Sequence, residues 1–276
     1  MLVHVVADYG IADLAYAEVA QRLLMGLPDA RLVYTAVPPF ATLASGFVVA
    51  QLALNEGPAA RAIFQNVAPR KDDARARQDN DGERLVCARL EGGGFVVGPN
   101  SGYSFSFLRA AGVPLFTMPV SSSGSQFRSR DIFAGAFAEL LNGNEALLGE
   151  PVSEGAVPAV PEGRIAYVDG YGNLKTTVTG SRFEVGSRVR VRVGDASREA
   201  VVVDGSFSVP DGDLAFSPAS SGWPSPSVRG CGAPLGTGSS APRNGRRVSL
   251  GSARRWSRRP WRRRTNNWPP STTCTS

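Results

Sequence analysis

Hydrophobic positions along the chain follow two regimes that change over at about residue 150. In the first, apolar runs alternate with stretches whose apolar residues recur at helical spacing. Leu2 to Ala7 is apolar at five of six positions, as in a strand buried on both faces. Ile11, Ala15, Val19 and Leu23 then recur every fourth residue, as on one helix face. Arg31 to Thr35 predicts a second strand, VPPF at 37–40 interrupts the pattern, and Leu43 to Leu54 predicts a second helix. Further strands are predicted over Arg61 to Val67, Arg84 to Leu90, Phe95 to Gly98 and Pro114 to Met118, the EGGG turn lying between the second and third of these. Ile132, Phe133, Ala136, Phe137 and Leu140 mark a last helix face that stops before Gly143, with Asp131 as its cap. From Arg164 the period shortens to that of strands: RIAYVD, NLKTTVT, SRVRVRV and REAVVVD, separated by Gly and Asp turns. The expected fold class is therefore α/β, an N-terminal domain (1–150) with a central, mostly parallel sheet, then a small antiparallel β-barrel-like domain (164–223). Pro151, Pro158 and Pro161 mark 151–163 as the linker between them.

Composition alters this picture mainly at the C-terminus. With 276 residues, 42% of them apolar, the chain can build a sizeable core. Its start carries neither a basic leader region nor a small-residue cleavage site, and no apolar run approaches the ~20 residues of a membrane span, so a cytoplasmic protein without membrane contact is expected. Three cysteines without ligand spacing indicate neither a disulfide framework nor zinc. The single histidine, His4, falls inside the first strand and reads as a satisfied core residue, which argues against histidine-based triads. The net charge of +6 hides an asymmetry: all 24 acids lie at or before Asp213, and 11 of the 30 basic residues lie after it, leaving 19 basic against 24 acidic side chains, a net of −5, in residues 1–213.

The candidate chemistry gathers at strand ends. Asp8 and Asp13 stand at the first strand-to-helix turn, where open α/β sheets hold ligands. The plainer reading is that Asp13 caps the helix and Asp8 forms a turn with Gly10. Pro38 and Pro39 set Phe40 at the mouth of the same crevice, as plain core or as packing for a ligand. SQFRSRD brings Arg128, Ser129 and Arg130 to the start of the last helix, a place suited to an anion or to developing negative charge, unless the two arginines are merely solvated.

Taken together, ADYGIAD, VPPF, GPNSG, SQFRSRDIFA and VDGYGNLKTT resemble, in this order and over roughly residues 1–222, the motifs of the S-adenosylmethionine hydroxide adenosyltransferase family, which includes the fluorinases and chlorinases. The resemblance implies a homotrimer binding S-adenosylmethionine between subunits, with no cofactor beyond that substrate. It implies that Asp8 holds the ribose hydroxyls and Phe40 lines the ribose pocket. Asp13, Asp169 and Asn173 would contact the methionine part or the base, with Asn100, Phe127 and Ser220 also at the ligand. Ionised carboxylates are strong acceptors for such hydroxyl and ammonium groups. The implied reaction is in-line attack of water, hydroxide or halide on the ribose 5′ carbon, giving adenosine or a halo-deoxyadenosine, with methionine leaving as a neutral thioether.

Departures from the family pattern fall on the chemistry. The Asp of the hydroxide-using members falls on Ala68 and their His on Arg128; Arg75 or Arg77 would supply their arginine, and Asp72 or Asp73 is close enough in sequence to stand in for the acid. Ser129 matches the serine that contacts halide in the fluorinase branch, whose tyrosine at position 68 is missing. Arg75, Arg128 and Ser129 are thus the catalytic candidates, and a rival expectation is a nucleoside-binding protein that has lost the chemistry. Residues 224–276, rich in Arg, Pro, Ser, Gly and Trp without a single acid, have the composition of an out-of-frame reading and are expected to be disordered. The alternative is a basic arm for nucleic acid, a partner that is otherwise not expected.

Overall fold

The computed structural model describes residues 1–67, 83–121, 125–178, 183–204, 209 and 213–217, with the backbone of 227–230 and 248–252. Its first unit is a six-stranded sheet built from β1 (Leu2–Ala7), β2 (Arg31–Ala36), β3 (Arg61–Asn66), β4 (Leu85–Arg89), β5 (Phe95–Pro99) and β6 (Leu115–Thr117). The strand order is β2-β1-β3-β5-β4-β6, parallel from β2 to β5 and antiparallel where β4 meets β5 and β6. The sheet is therefore mixed but mostly parallel, since β4 alone runs against the other five strands. The cause is the short EGGG connection: Gly92 and Gly93 adopt φ of 87° and 89°, and a turn this tight returns the chain only as a hairpin.

Alternation along the strands divides the core into two layers. Val3, Val5, Ala7, Phe64 and Val97 face α1 (Leu14–Gly26) and α4 (Ala134–Leu141). Val6, Ile63, Val86 and Val96 face α2 (Thr42–Leu54) and the short α3 (Ser106–Ala110). α1 begins later than the apolar spacing suggested: Asp13 caps it and Tyr16, Val19, Ala20 and Leu23 are buried, while Ile11 precedes it and is 91% exposed. Gly26 lies so close to Ala138 of α4 that a Cβ there would overlap it. His4 is half-buried, its Nδ1 has no hydrogen-bond partner, and burial followed by the charge of Arg61 lowers its pKa, so it is not the satisfied core residue expected.

The proline-rich stretch works as a strap. Residues 149–152 pair with β6 through Gly149 N–H to the Thr117 carbonyl and Val152 N–H to the Leu115 carbonyl. The strap then passes α3, where the Ser106 hydroxyl donates to the Pro158 carbonyl at 2.6 Å, and Val157 is buried in the core. The second unit is a seven-stranded sheet formed by β7 (Ile165–Val168), β8 (Leu174–Thr176), β9 (Arg188–Val193), β10 (Ala196–Val202), β11 (Leu214–Ser217), β12 (Ser227–Gly230) and β13 (Val248–Ser252), in the order β13-β9-β10-β11-β12-β8-β7. All its pairings are antiparallel except β10 with β11. β12 and β13 lie in the stretch for which no strand was expected; β12 joins β11 to β8, and β13 pairs along β9. The units share a core, because Ala166 of β7 is buried with α2 and Tyr167 stacks on Phe47 at 5.9 Å.

Candidate functional site

Three sequence-distant stretches converge beyond the carboxyl ends of the parallel strands. β1 delivers Asp8 and Tyr9, the turn after β2 delivers Phe40, and the turn before α4 delivers Phe127 and Ser129. The Phe40 N–H donates to Asp8 Oδ2 at 2.9 Å. Phe40 sits at φ 61°, the left-handed region, which is costly for a bulky side chain, so this bond holds a strained turn. Ala12, just before the α1 cap, is the other non-glycine residue with positive φ among the described residues.

Tyr9 occupies the centre of the cluster. Its hydroxyl donates to Ser129 Oγ at 2.7 Å, and its ring meets Tyr16 and Phe127 edge-to-face at 5.0 and 6.2 Å. Burial raises the Tyr9 pKa well above the usual phenol range; hydrogen bonds to Ser129 and Asn66 offset this in part, and the Asp8 charge adds to it. The phenol is thus a neutral donor at every physiological pH. Tyr16 donates to the Ala7 carbonyl at 3.1 Å, and burial pushes its pKa up to about 12.

Ser129 is 4% exposed and opens a π-helical turn, Ser129–Phe133, that runs into α4. Such turns widen the helix by one residue and are frequent at functional sites. Asp131 is consequently not the cap; it lies inside the turn, whose cap position, Arg128, makes no side-chain cap bond, while upstream the Ser125 hydroxyl accepts from Phe127 N–H at 3.0 Å and donates to the Asp131 carboxylate. The Asp131 carboxyl is held down to about 2 by hydrogen bonds from Arg130 and Ser125. Arg130 is spoken for by Asp131 at 2.6 Å and Glu18 at 2.8 Å, and its guanidinium lies over the Phe127 ring at 4.9 Å. Arg128 is held less firmly: one terminal nitrogen reaches the Glu83 carbonyl at 3.4 Å, the group packs over Phe133, and its buried Nε has no partner.

The remaining expected residues lie apart from this cluster or outside the described residues. Asp13 is an exposed cap whose Oδ1 accepts Ala15 N–H at 2.8 Å, the plainer of its two readings. Asn100 gives its side-chain amide to the Ala156 carbonyl of the strap at 2.9 Å. Asp169 folds its own turn, accepting from the Tyr171 and Asn173 backbone and from the Asn173 amide at 2.8 Å. Burial works against its ionisation, but these bonds and Lys175 outweigh it and lower the pKa. These bonds close within the turn itself and do not tie it to Asp8, Phe40 or Ser129. Ala68, Asp72, Asp73, Arg75, Arg77 and Ser220 lie outside the described residues.

Tyr9 and Asn66 are site residues that the sequence reading passed over. The available signal was an aromatic residue between a strand-end acid and a glycine, and an amide ending a buried strand. A second polar set lies deeper, with the Gln65 amide donating to Ser45 at 3.2 Å and Ser104 at 3.1 Å, and Ser101 donating to the Val67 carbonyl. This set ties the ends of β3 and β5 to α2. The arrangement at the rim provides a carboxylate, aromatic walls and a buried hydroxyl, suited to holding a polar ligand with a flat or apolar part.

No protein-family model matches the chain, and no curated protein does. The solved structures to which the chain is similar include an uncharacterized conserved protein from Thermotoga maritima (TM-score 0.68, 19% identity, 90% of this chain and 100% of that one) and a conserved hypothetical protein from Thermus thermophilus (TM-score 0.60, 26% identity, 90% and 98%). What these likenesses establish is a shared fold over nearly the whole length of both relatives.

Proposed function

We propose that the chain binds S-adenosylmethionine at the Asp8–Phe40–Ser129 cluster and transfers its adenosyl group to a small nucleophile. The observation that carries the reading is that ADYG, VPPF and SQFRSRD, three motifs of the sequence resemblance, meet through the Asp8–Phe40 and Tyr9–Ser129 hydrogen bonds at one strand-end rim. In this reading Asp8 accepts from ribose hydroxyls and Phe40 packs on the sugar. The nucleophile forms a bond to the 5′ carbon as the carbon–sulfur bond breaks, its electron pair passing to sulfur. A sulfonium leaving group becomes neutral on departure and needs no acid. Catalysis then rests on positioning and on removing water from the nucleophile.

The trimer implied by the resemblance belongs to the same proposal. Ile11 and Leu14, 91% and 70% exposed beside the rim, are apolar side chains that a neighbouring subunit would cover, and its Asp169–Asn173 turn would complete the pocket. One observation favours a second reading, a binding protein with impaired chemistry: the chain's only histidine is inside β1, so no imidazole can take a proton from water near Ser129. Calorimetric titration with S-adenosylmethionine, followed by chromatography of products with and without halide, tests both. Binding with halo-deoxyadenosine or adenosine formed supports the transferase, binding without product supports the second reading, and no binding at millimolar ligand sinks both.

A further inference from the structure

We propose that the outer face of β9 binds the phosphate backbone of a single-stranded nucleic acid, with Arg188, Arg190 and Arg192 as its contacts. The site lies on the second unit and is independent of the adenosyl reading. Burial alternates along β9: Val189 and Val191 are 2% and 4% exposed, while the three arginines stand out to solvent. Side chains two residues apart on a strand share a face at a spacing of about 6.6 Å. The guanidinium groups therefore form a straight row whose step is close to that between successive phosphates of an extended strand. Residues 1–213 carry a net charge of −5, so this face, and not a diffuse positive charge, is what holds a polyanion on the folded body.

Little beside the row opposes such a strand. β10 sets Glu199 opposite Arg190 and Ser197 opposite Arg192, and β13 sets Gly251 and Ser249 in register with the same two arginines. Glu199 reaches Arg188 at 3.5 Å and Arg190 at 3.7 Å, and ion pairs this exposed contribute little. One carboxylate shared by two guanidinium groups leaves the row positive, and Arg192 makes no ion pair among the described residues. Asp195 lies past the row, in the turn between β9 and β10. β13 runs antiparallel to β9 and reaches Val189 at Ser252, so it ends beside the Arg188 end of the row. The sequence next supplies Arg254, Arg255, Arg258 and Arg259.

The test uses the full chain and a labelled oligothymidylate of about 16 nucleotides, followed by fluorescence anisotropy over a series of salt concentrations. Binding should weaken steeply with salt, because each neutralised phosphate releases counterions. Replacing all three arginines (Arg188→Gln, Arg190→Gln, Arg192→Gln) should lower the slope of log affinity against log salt by about 2, or ~0.7 for each contact. Oligouridylate should show the same drop, since phosphate contacts carry no sequence information. Glu199→Gln frees two arginines and should strengthen binding roughly two- to fivefold, the scale of exposed ion pairs. S-adenosylmethionine affinity should be unchanged in these variants, so this site and the adenosyl reading fail separately. An unchanged slope in the folded triple variant overturns the proposal and assigns the binding to the arginines after Asp213. Absence of binding by the wild type at low salt also overturns it, as does capture by phosphatidylserine vesicles without oligonucleotide binding. Should the triple variant not fold, Arg192→Gln alone decides: a slope lower by about 0.7 upholds the site and an unchanged one overturns it.

Discussion

Replacing Asp8 separates two duties that the fold gives to one carboxylate. Its Oδ2 accepts the Phe40 N–H at 2.9 Å, and Phe40 sits at φ 61°. Left-handed backbone costs a bulky L-residue ~1–2 kcal/mol. A hydrogen bond to an ionised acceptor contributes ~1.5–3 kcal/mol, enough to offset that strain with little to spare. Asp8→Ala should therefore lower stability by ~1.5–3 kcal/mol, whereas Asp8→Asn keeps a neutral acceptor and should lose about 1 kcal/mol. Urea unfolding followed by far-ultraviolet circular dichroism reads both as shifts in midpoint at constant slope. Adding Phe40→Gly to Asp8→Ala should recover about 1 kcal/mol, since glycine adopts this conformation without strain, less what the half-buried ring contributed by packing. A ligand-binding loss measured on Asp8→Ala would thus mix turn collapse with lost contact, and Asp8→Asn is the cleaner probe. The reasoning fails if folded Asp8→Ala unfolds at the wild-type midpoint.

Asp13→Ala should cost about 1 kcal/mol through the lost helix cap and leave S-adenosylmethionine affinity unchanged; a fall in affinity on calorimetry would return Asp13 to the ligand site. Alkaline titration followed by phenolate absorbance should find that Tyr9 and Tyr16, of the six tyrosines, stay protonated beyond pH 11. Because their folded-state pKa values are raised above the ordinary ~10, the stability they contribute is complete below pH 10 and is lost as pH rises through about 12. A single ionisation wave near pH 10 in the folded protein would contradict this.

The sequence showed most of the strands and hid the details that make the site. β1, β3 and β5 were legible because central strands covered on both faces are nearly continuous apolar runs. The direction of β4 was open to inference from the EGGG turn and was missed, because apolar content says nothing about strand direction. β12 and β13 carry only Val228, Val248 and Leu250 as large apolar residues, too few for a periodic signal. At the site, Asp8 and Phe40 could be placed by the strand-end rule, but their mutual bond depends on a left-handed Phe that no propensity suggests. The Asp131 expectation failed because the helix starts earlier, as a π-helical turn opening at Ser129, which leaves the acid inside the first turn rather than ahead of it. Tyr9 went unnoticed because its meaning lies in a partner 120 residues away.

α2 is apolar nearly all round: from Thr42 to Ala50 every residue is buried, with the first sheet on one side and β7 of the second unit on another. As the chain leaves the ribosome, this helix is made more than a hundred residues before Ala166 and Tyr167, which cover its outer face. Until they arrive, Phe47 and its neighbours form an open apolar flank on an otherwise finished sheet. The nascent first unit is therefore adhesive for the interval in which the strap and β7 are synthesised. A truncation near residue 150 would make that interval permanent and should collect in inclusion bodies rather than yield a free-standing domain.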